Sequence, residues 1–418
     1  MSRSPSSIAL IHPRTTIAIM TARISRSLAT TSATTSDHKF LINDKPYVES
    51  NKVKTGHSVK LVDLFAGIGG FHYGVAAAAA QRQLGVRPLL VSEIEESCQE
   101  IYQRNHNCEV HGDINKIQLG DFSNLEADIV TAGFPCQPFS NSGRKLGLKD
   151  PRGRFYDRIE EIITHFSAKS FILENVPGMT TNGGGDFESV FADKPQTIGK
   201  TMHVLEKKLA QLHEYHIKWL EVDSSSLGSP QVRKRVYIIG LRKDLAEGID
   251  INLKSYKPKS FIEIADKTDG FRNEKLELSE NQERNVKSFM SKPPSYMNGM
   301  RRVGKAYLCD GGNVGQAYHS HGMVPTLTKI WSRFLPIYFP HNGENIPNVG
   351  EKVFSPNRYY GKGYLRRASV KEVMLLQGFP KNFKPHATDR IAYEHAGNAV
   401  NAKVVKEIAD YLLDFTKR

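Results

Sequence analysis

Three short stretches carry side chains able to act on a substrate. The first is AGFPCQPFSNS, Ala132 to Ser142, where Cys136 sits between Pro135 and Pro138. Proline fixes its own backbone dihedral, so this thiol is held in a stiff loop. A lone cysteine is more often a small buried hydrophobe than a nucleophile. Here the loop follows an apolar run, Glu126 to Thr131, and so leaves the strand end where α/β sheets place their ligands. The second stretch is Glu174-Asn175-Val176-Pro177, after the apolar run Ser170 to Leu173. In a parallel sheet Glu174 would face the same crevice as Cys136; otherwise it is a helix cap or a solvated loop acid. The third is Gln231-Val232-Arg233-Lys234-Arg235, leading into another apolar run. Strand alternation puts Gln231, Arg233 and Arg235 on one side and Val232 on the other. Three long polar side chains on one face need a partner, unless the strand is a solvated edge.

These stretches need a frame. Leu61 to Phe65 reads as a buried strand, Ala66-Gly67-Ile68-Gly69-Gly70 as a glycine turn, Phe71 to about Gln83 as a helix, and Pro88 to Ser92 as a second strand ending at Glu93. That unit predicts a parallel sheet with crossover helices, and its glycine turn is where such sheets bind ligands. No Gly-Lys-Ser/Thr follows, so the turn is not a P-loop. Glu93 lies 30 residues after Asp63, a position suited to a ribose diol. Asp113, in Gly112-Asp113-Ile114 near the expected end of a third strand, suits an adenine amino group. Acids also cap helices for structural reasons alone, and spacing does not separate a nicotinamide cofactor from S-adenosylmethionine. Helices over Asp157 to His165 and Met202 to Tyr215, and strands over Ile217 to Val222 and Arg235 to Gly240, continue the rhythm. The result is a doubly wound α/β layer of six or seven strands over 56–242.

After Arg242 the rhythm breaks. Residues 245–365 are rich in Lys, Asn, Gly, Pro and Tyr and read as a second, smaller domain of irregular, mostly extended structure. Residues 366–384 form a connecting segment. Helical periodicity returns over Ser369 to Gln377 and Ala402 to Phe415, and no internal repeat is visible.

The chain has 418 residues, enough for a sizeable core and two domains. Its 57 Lys and Arg against 44 Asp and Glu, formally +13, fit a polyanionic partner. The four cysteines, Cys98, Cys108, Cys136 and Cys309, form no CxxC pair. Their spacing suggests neither a zinc site nor a disulfide framework, and fits a reducing compartment. No segment is apolar enough over sufficient length to span a membrane. The first 36 residues hold Arg3, Arg14, Arg23 and Arg26, no acidic residue, and 15 Ser or Thr. That is the composition of an organelle transit peptide; a basic tail or a start codon placed too early are the alternatives. Residues 1–50 are therefore expected to lie outside the fold, with location open between cytoplasm, nucleus and organelle.

Taken together, the motifs resemble the cytosine-C5 DNA methyltransferase family in its compact, bacterial-type form. Asp63 to Gly70 resembles the family's methyl-donor turn, Gly133 to Gln137 its nucleophile loop, Glu174-Asn175-Val176 its acid motif and Gln231 to Arg235 its arginine motif. Gln377-Gly378-Phe379-Pro380 and Gly397-Asn398-Ala399-Val400 resemble its two late motifs, and all six come in the family's order. The resemblance implies a Rossmann-like catalytic domain that uses S-adenosylmethionine, with residues after about 385 returning to it and 245–365 reading the target. It implies that Cys136 adds to carbon 6 of a flipped-out cytosine, that Glu174 serves ring nitrogen 3, that Arg235 serves O2 and that Arg233 positions Glu174. Asp63, Phe65, Ala66, Gly67, Gly69, Gly70, Glu93, Ile94, Asp113, Ile114, Pro135, Asn398 and Val400 would line the cofactor. Gln137, Ser140, Arg144, Lys145 and Gln231 would meet nucleic acid, with Lys149 following on the same loop, while Tyr296, Arg301, Arg302 and Lys305 suit base reading by type alone. A monomer without metal acting on double-stranded DNA is expected, with a cognate restriction endonuclease as a further partner. Pro325-Thr326-Leu327-Thr328 resembles the end of the family's recognition domain.

Two positions depart from the family: Asn401, where proline is frequent, and Ser229, where a β-branched residue is usual. Three rivals stand beside this reading. A transfer-RNA methyltransferase of the same fold would carry a second proline where this chain has Phe134. An inactive DNA-binding homologue would not need Cys136, Glu174, Arg233 and Arg235 together. A nicotinamide oxidoreductase leaves Cys136 and the arginines unexplained.

Overall fold

The computed structural model describes residues 58–135, 155–266, 314–329, 335–340 and 363–417, together with the strands Phe40–Ile42, Lys45–Tyr47, Ser295–Met297 and Met300–Tyr307. These lie in one unit, Lys39–Arg418. Within the stretch expected to lie outside the fold, Phe40–Ile42 pairs antiparallel with Lys45–Tyr47; residues 1–39 lie outside the described residues.

The central sheet has six strands: β1 Ser58–Leu64, β2 Gly85–Ser92, β3 Ile129–Ala132, β4 Ser170–Asn175, β5 Tyr215–Asp223 and β6 Lys234–Arg242. Their order is β2-β1-β3-β4-β6-β5. The first four are mutually parallel. β6 runs antiparallel to both β4 and β5, so the doubly wound layer is a mixed sheet. Alternation along the strands feeds two cores. Val62, Val130, Leu173 and Ile238 face one side, packed with Ile159, Ile162, Met202 and Leu209 from helices α3 Phe155–His165 and α4 Lys200–Leu209. Leu61, Ile129, Ile172 and Ile239 face the other, packed with Phe71, Val75, Val404, Ile408 and Leu412. Strands buried on both faces read as continuous apolar runs, which is why the sequence showed them so clearly.

The second core is built by α1 Gly70–Gln81 and α7 Ala402–Thr416. In α1, Gly70 to Ala79 is buried throughout. An alanine run has the highest helix propensity and lets neighbours come close. At Gly74 a Cβ would stand 2.5 Å from Val405 Cβ, so only glycine permits this approach of α7. Besides a single turn at Gly178–Thr181, the remaining α-helices of the described residues are α2 Glu96–His106, α5 Val370–Leu376 and α6 Asp389–Asn398. Ser369 and Glu372 form a reciprocal capping box that starts α5.

The region expected to be irregular and extended contains a second sheet of five strands: β7 Ser295–Met297, β8 Met300–Tyr307, β9 Val314–His319, β10 Pro336–Pro340 and β11 Gly363–Arg367. Neighbours pair antiparallel except β9 and β10, which are parallel. Leu335, Ile337 and Phe339 share a core with Val373, Leu376 and Ala396 from α5 and α6. Outside both sheets, an isolated bridge joins Gln231 to Val324.

Candidate active site

The reversed sense of β6 positions the catalytic edge. Residues at the end of a parallel strand and residues at the start of an antiparallel one meet at the same edge. Register pairs Glu174 with Tyr237 and Asn175 with Val236, so Arg235 arrives beside Glu174. Arg235 Nε stands 3.0 Å from Glu174 Oε1, with the two side chains 14% and 13% exposed. A nearly buried ion pair of this kind is held by its surroundings rather than by solvent. β3 leads into the same place: Ala132 pairs with Leu173, and a Cβ on Gly133 would lie 3.9 Å from Glu174 Oε2. Asn175 Nδ2 donates to the Phe134 carbonyl at 3.2 Å, tying the acid strand to the thiol loop. Pro135 is half-buried at this exit. Cys136, Gln137, Ser140, Arg144, Lys145 and Lys149 lie outside the described residues.

Arg233 and Gln231 differ from expectation. Arg235 makes the direct pair with the Glu174 carboxylate, and Arg233, expected to position Glu174, interacts with it through charge without touching it. The Arg233 guanidinium is buried and donates to the carbonyls of Leu327 and Ala399, each at 2.9 Å. Burial, and Arg235 nearby, pull it down to about 9. It joins the end of the second sheet's region to the last segment of the chain. Gln231, expected to touch nucleic acid, is fully buried, and neither end of its amide has a hydrogen-bond partner among the described residues. The segment before Lys234 is not strand; it runs beside Val324, which exchanges backbone hydrogen bonds with Pro230 and Val232. Strand alternation therefore does not govern Gln231 and Arg233.

The glycine turn sits where β1 and β2 end. Phe65, Gly67 and Gly69 all have positive φ, 52°, 53° and 90°. Phe65 meets the Phe155 ring edge-on at 5.3 Å between centroids. The Ala66 N–H donates to the Ser92 carbonyl and the Gly69 N–H to Ala66. A Cβ on Gly67 would meet nothing within 4 Å, so this turn faces open space. Glu93 is aimed by two backbone donors, Gly67 N–H to Oε2 and Glu95 N–H to Oε1, both at 2.8 Å. Ile94 beside it is 70% exposed. Asp113 does not end a full strand: β2 is extended only by a bridge from Ser92 to His111. Its Oδ1 accepts from Asn115 N–H as a cap, and Ile114 is buried below.

The last segment closes the pocket. A Cβ on Gly70 would stand 2.7 Å from Val400 Cγ1, so Val400 lies directly on the glycine turn. Asn398 ends α6 with its side chain exposed. Gln377 Nε2 donates to the Ala396 carbonyl, and the Ala402 N–H returns to Gln377. The two departures have structural uses. Asn401 caps α7 through Lys403 N–H and donates to the buried Leu376 carbonyl. The buried Ser229 Oγ reaches the same carbonyl at 3.3 Å.

Sequence reasoning missed Thr131, Tyr102, His72 and His106 behind the turn. Asp63, expected to line the cofactor, is instead fully buried beneath it and accepts from Thr131 Oγ1 at 2.8 Å and Tyr102 Oη at 3.0 Å. Burial outweighs these donors and raises the Asp63 carboxyl to about 7. His72 Nδ1 lies 2.9 Å from Tyr102 Oη, and the His72 ring stacks on His106 at 3.8 Å. Burial lowers His72 to about 3 and holds His106 well below its usual range, so both rings are neutral. A Cβ on Gly69 would stand 2.4 Å from His106 Nε2, so this stack is the floor under the turn. The signal was Tyr102 and His106 at i,i+4 on one helix face.

This fold and site define a Rossmann-like methyltransferase. The C-5 cytosine-specific DNA methylase family model matches residues 59–414, and the chain belongs to that family. Methylation of cytosine at carbon 5 in DNA is its activity. Among similar proteins, the type II methyltransferase M.BanI of Aneurinibacillus aneurinilyticus is 28% identical over 447 residues, covering 85% of this chain and 95% of the relative. M.HgiCI of Herpetosiphon aurantiacus is 27% identical over 435 residues, covering 86% and 98%. Among solved structures, the Entamoeba histolytica methyltransferase EhMeth superposes with a TM-score of 0.61 at 18% identity, covering 86% of this chain and 99% of its own, a likeness of fold.

Proposed function

We propose that the chain transfers a methyl group from S-adenosylmethionine to carbon 5 of a cytosine turned out of duplex DNA, at a defined sequence, through a covalent adduct of Cys136. The observation that carries this reading is the Glu174–Arg235 pair at the exit of β3 toward Cys136. Ring carbon 5 is a poor nucleophile until sulfur adds to carbon 6, after which it is enamine-like. Cys136 supplies the sulfur and leaves again when the carbon 5 proton is lost. Glu174 hydrogen-bonds ring nitrogen 3, and Arg235, already paired with it, reaches O2 and stabilises the charge of the adduct. A base inside a helix cannot reach a recessed edge, so the cytosine must leave its stack.

The residues of the glycine turn fit the methyl donor. Open space above Gly67, the carboxylate of Glu93 aimed by two N–H groups, and the exposed Ile94 suit a ribose diol and a flat purine. Asp113 suits the purine amino group, and Asn398 with Val400 suits the amino-acid end. Bound S-adenosylmethionine would supply the methyl group as an electrophilic sulfonium carbon. The type II relatives further support a modification enzyme partnered by a restriction endonuclease of matching specificity.

Labelled methyl transfer to duplex DNA and to transfer RNA, with mapping of the modified cytosines, tests the reading. Label in duplex at one recurring sequence is expected, and Cys136→Ser removes it while leaving the fold intact. Label in transfer RNA alone overturns the substrate. Transfer without a trapped adduct on 5-fluorocytosine duplex overturns the thiol step.

A further inference from the structure

We propose that Glu95, Cys98 and His395 form a site for one divalent transition-metal ion of the borderline-soft kind represented by Zn2+. The sequence offers no metal motif because the site is assembled from two distant segments. Glu95 caps α2 and Cys98 lies in its first turn, three residues on, so both face the same way. His395 comes from α6, 297 residues beyond Cys98. One carboxylate oxygen, one sulfur and one imidazole nitrogen from these residues all lie within 4.8 Å of one another.

The geometry is close to what an ion needs. Zinc bonds of about 2.0–2.3 Å in a tetrahedron put neighbouring ligand atoms roughly 3.3–3.5 Å apart. Glu95 Oε1 and His395 Nε2 are already 3.8 Å apart. Ser97 Oγ now bridges them, 2.9 Å from Glu95 Oε1 and 2.8 Å from His395 Nε2. The His395 side chain is 2% exposed, and its Nδ1 has no hydrogen-bond partner among the described residues. Nε2, the nitrogen that faces the cluster, is held by Ser97, so an ion would take the place of that hydrogen bond. Cys98 is a buried free thiol, and Glu95, 46% exposed, opens the cluster to solvent. Sulfur with imidazole and carboxylate is a zinc-type donor set, not one for magnesium or calcium.

On binding, the Cys98 S–H bond breaks, a sulfur–metal bond forms and the proton passes to solvent. His395 Nε2 and the Glu95 carboxylate each donate a lone pair, and water entering past Glu95 takes the fourth position. No electron is transferred. The ion would brace the segments that carry Glu93 and Asn398. That consequence rests on the methyl-transfer reading, whereas the metal site does not.

The test uses the full chain, reduced and stripped with a chelator. Zn2+ is titrated against a chromophoric chelator, and Co2+ binding is followed by thiolate-to-cobalt charge-transfer absorption. One ion per chain with that absorption is expected. Cys98→Ser removes the band and weakens binding by at least about tenfold, the scale seen even for outer-shell changes at metal sites. Glu95→Gln alters an exposed residue, so the metal-free melting temperature stays unchanged while affinity falls. Zn2+ raises the melting temperature of the parent and not of this variant. Cys108→Ser behaves as the parent. Absence of stoichiometric binding, or binding indifferent to both Cys98→Ser and Glu95→Gln, overturns the proposal.

Discussion

Gly397→Ala pits two physical effects of opposite sign against each other. Gly397 lies inside α6, where alanine in place of glycine gains about 1 kcal/mol of helix propensity. The space is already taken, however. A Cβ at 397 would stand 2.3 Å from the carbonyl carbon and oxygen of Thr328 and 2.5 Å from Lys329 N, all backbone atoms that no rotamer change can move. α6 must therefore step away from the 328 segment by about an ångström, a strain costing about 1–3 kcal/mol. That shift also pulls Ala399 away from Leu327, the two carbonyls that Arg233 holds at once. Losing one charged hydrogen bond costs a further 1.5–3 kcal/mol or so. The clash and the broken anchor outweigh propensity, leaving a net loss of about 1.5–5 kcal/mol. Urea denaturation monitored by circular dichroism measures the loss. The displaced Asn398 should also raise KM for S-adenosylmethionine more than it lowers kcat. A midpoint equal to or above the parent's would show that propensity wins and that the contact is soft, refuting the reasoning.

Three further outcomes are expected. Glu174→Gln keeps the shape but loses the acid, and should lower kcat by about 10²–10⁴ without loss of fold, read by single-turnover methyl transfer. Asp63 is raised from 3.8 to about 7 by burial, so its contribution to stability is complete below pH 4 and is lost as pH rises toward 7, a swing of about 4 kcal/mol. Asp63→Asn should flatten the stability profile across that window in denaturation at stepped pH; an unchanged slope would assign the pH dependence elsewhere. Asn401→Ala removes the cap of α7 and a buried donor, and should cost about 1–2 kcal/mol in the same measurement.

The layered α/β architecture was legible because strands buried on both faces announce themselves as apolar runs. Leu61 to Leu64 and Ile129 to Ala132 carry almost no polar side chains apart from Asp63 and Thr131, which satisfy each other across the β1–β3 register. The direction of β6 was not legible, since hydrophobic alternation is the same whichever way a strand runs. That blind spot had a consequence: in an all-parallel layer Arg235 would stand at the wrong edge for Glu174. Gln231 and Arg233 were misplaced for a related reason. Their surroundings come from Val324, Leu327 and Ala399 far along the chain, and local periodicity carries no information about such partners. The second sheet was read only as extended, because its strands are short and bear mixed side chains.

Two distant segments depend on each other through the seat of α7 on α1. Val405 fills the hollow left by Gly74, and Val400 lies on the glycine turn. The first helix of the sheet therefore keeps its apolar side uncovered until a segment from far along the chain folds back onto it. Removing that late segment would strip α1 of its cover and the glycine turn of one wall together, so methylating capacity should be as sensitive to Val400 and Val405 as to the turn itself.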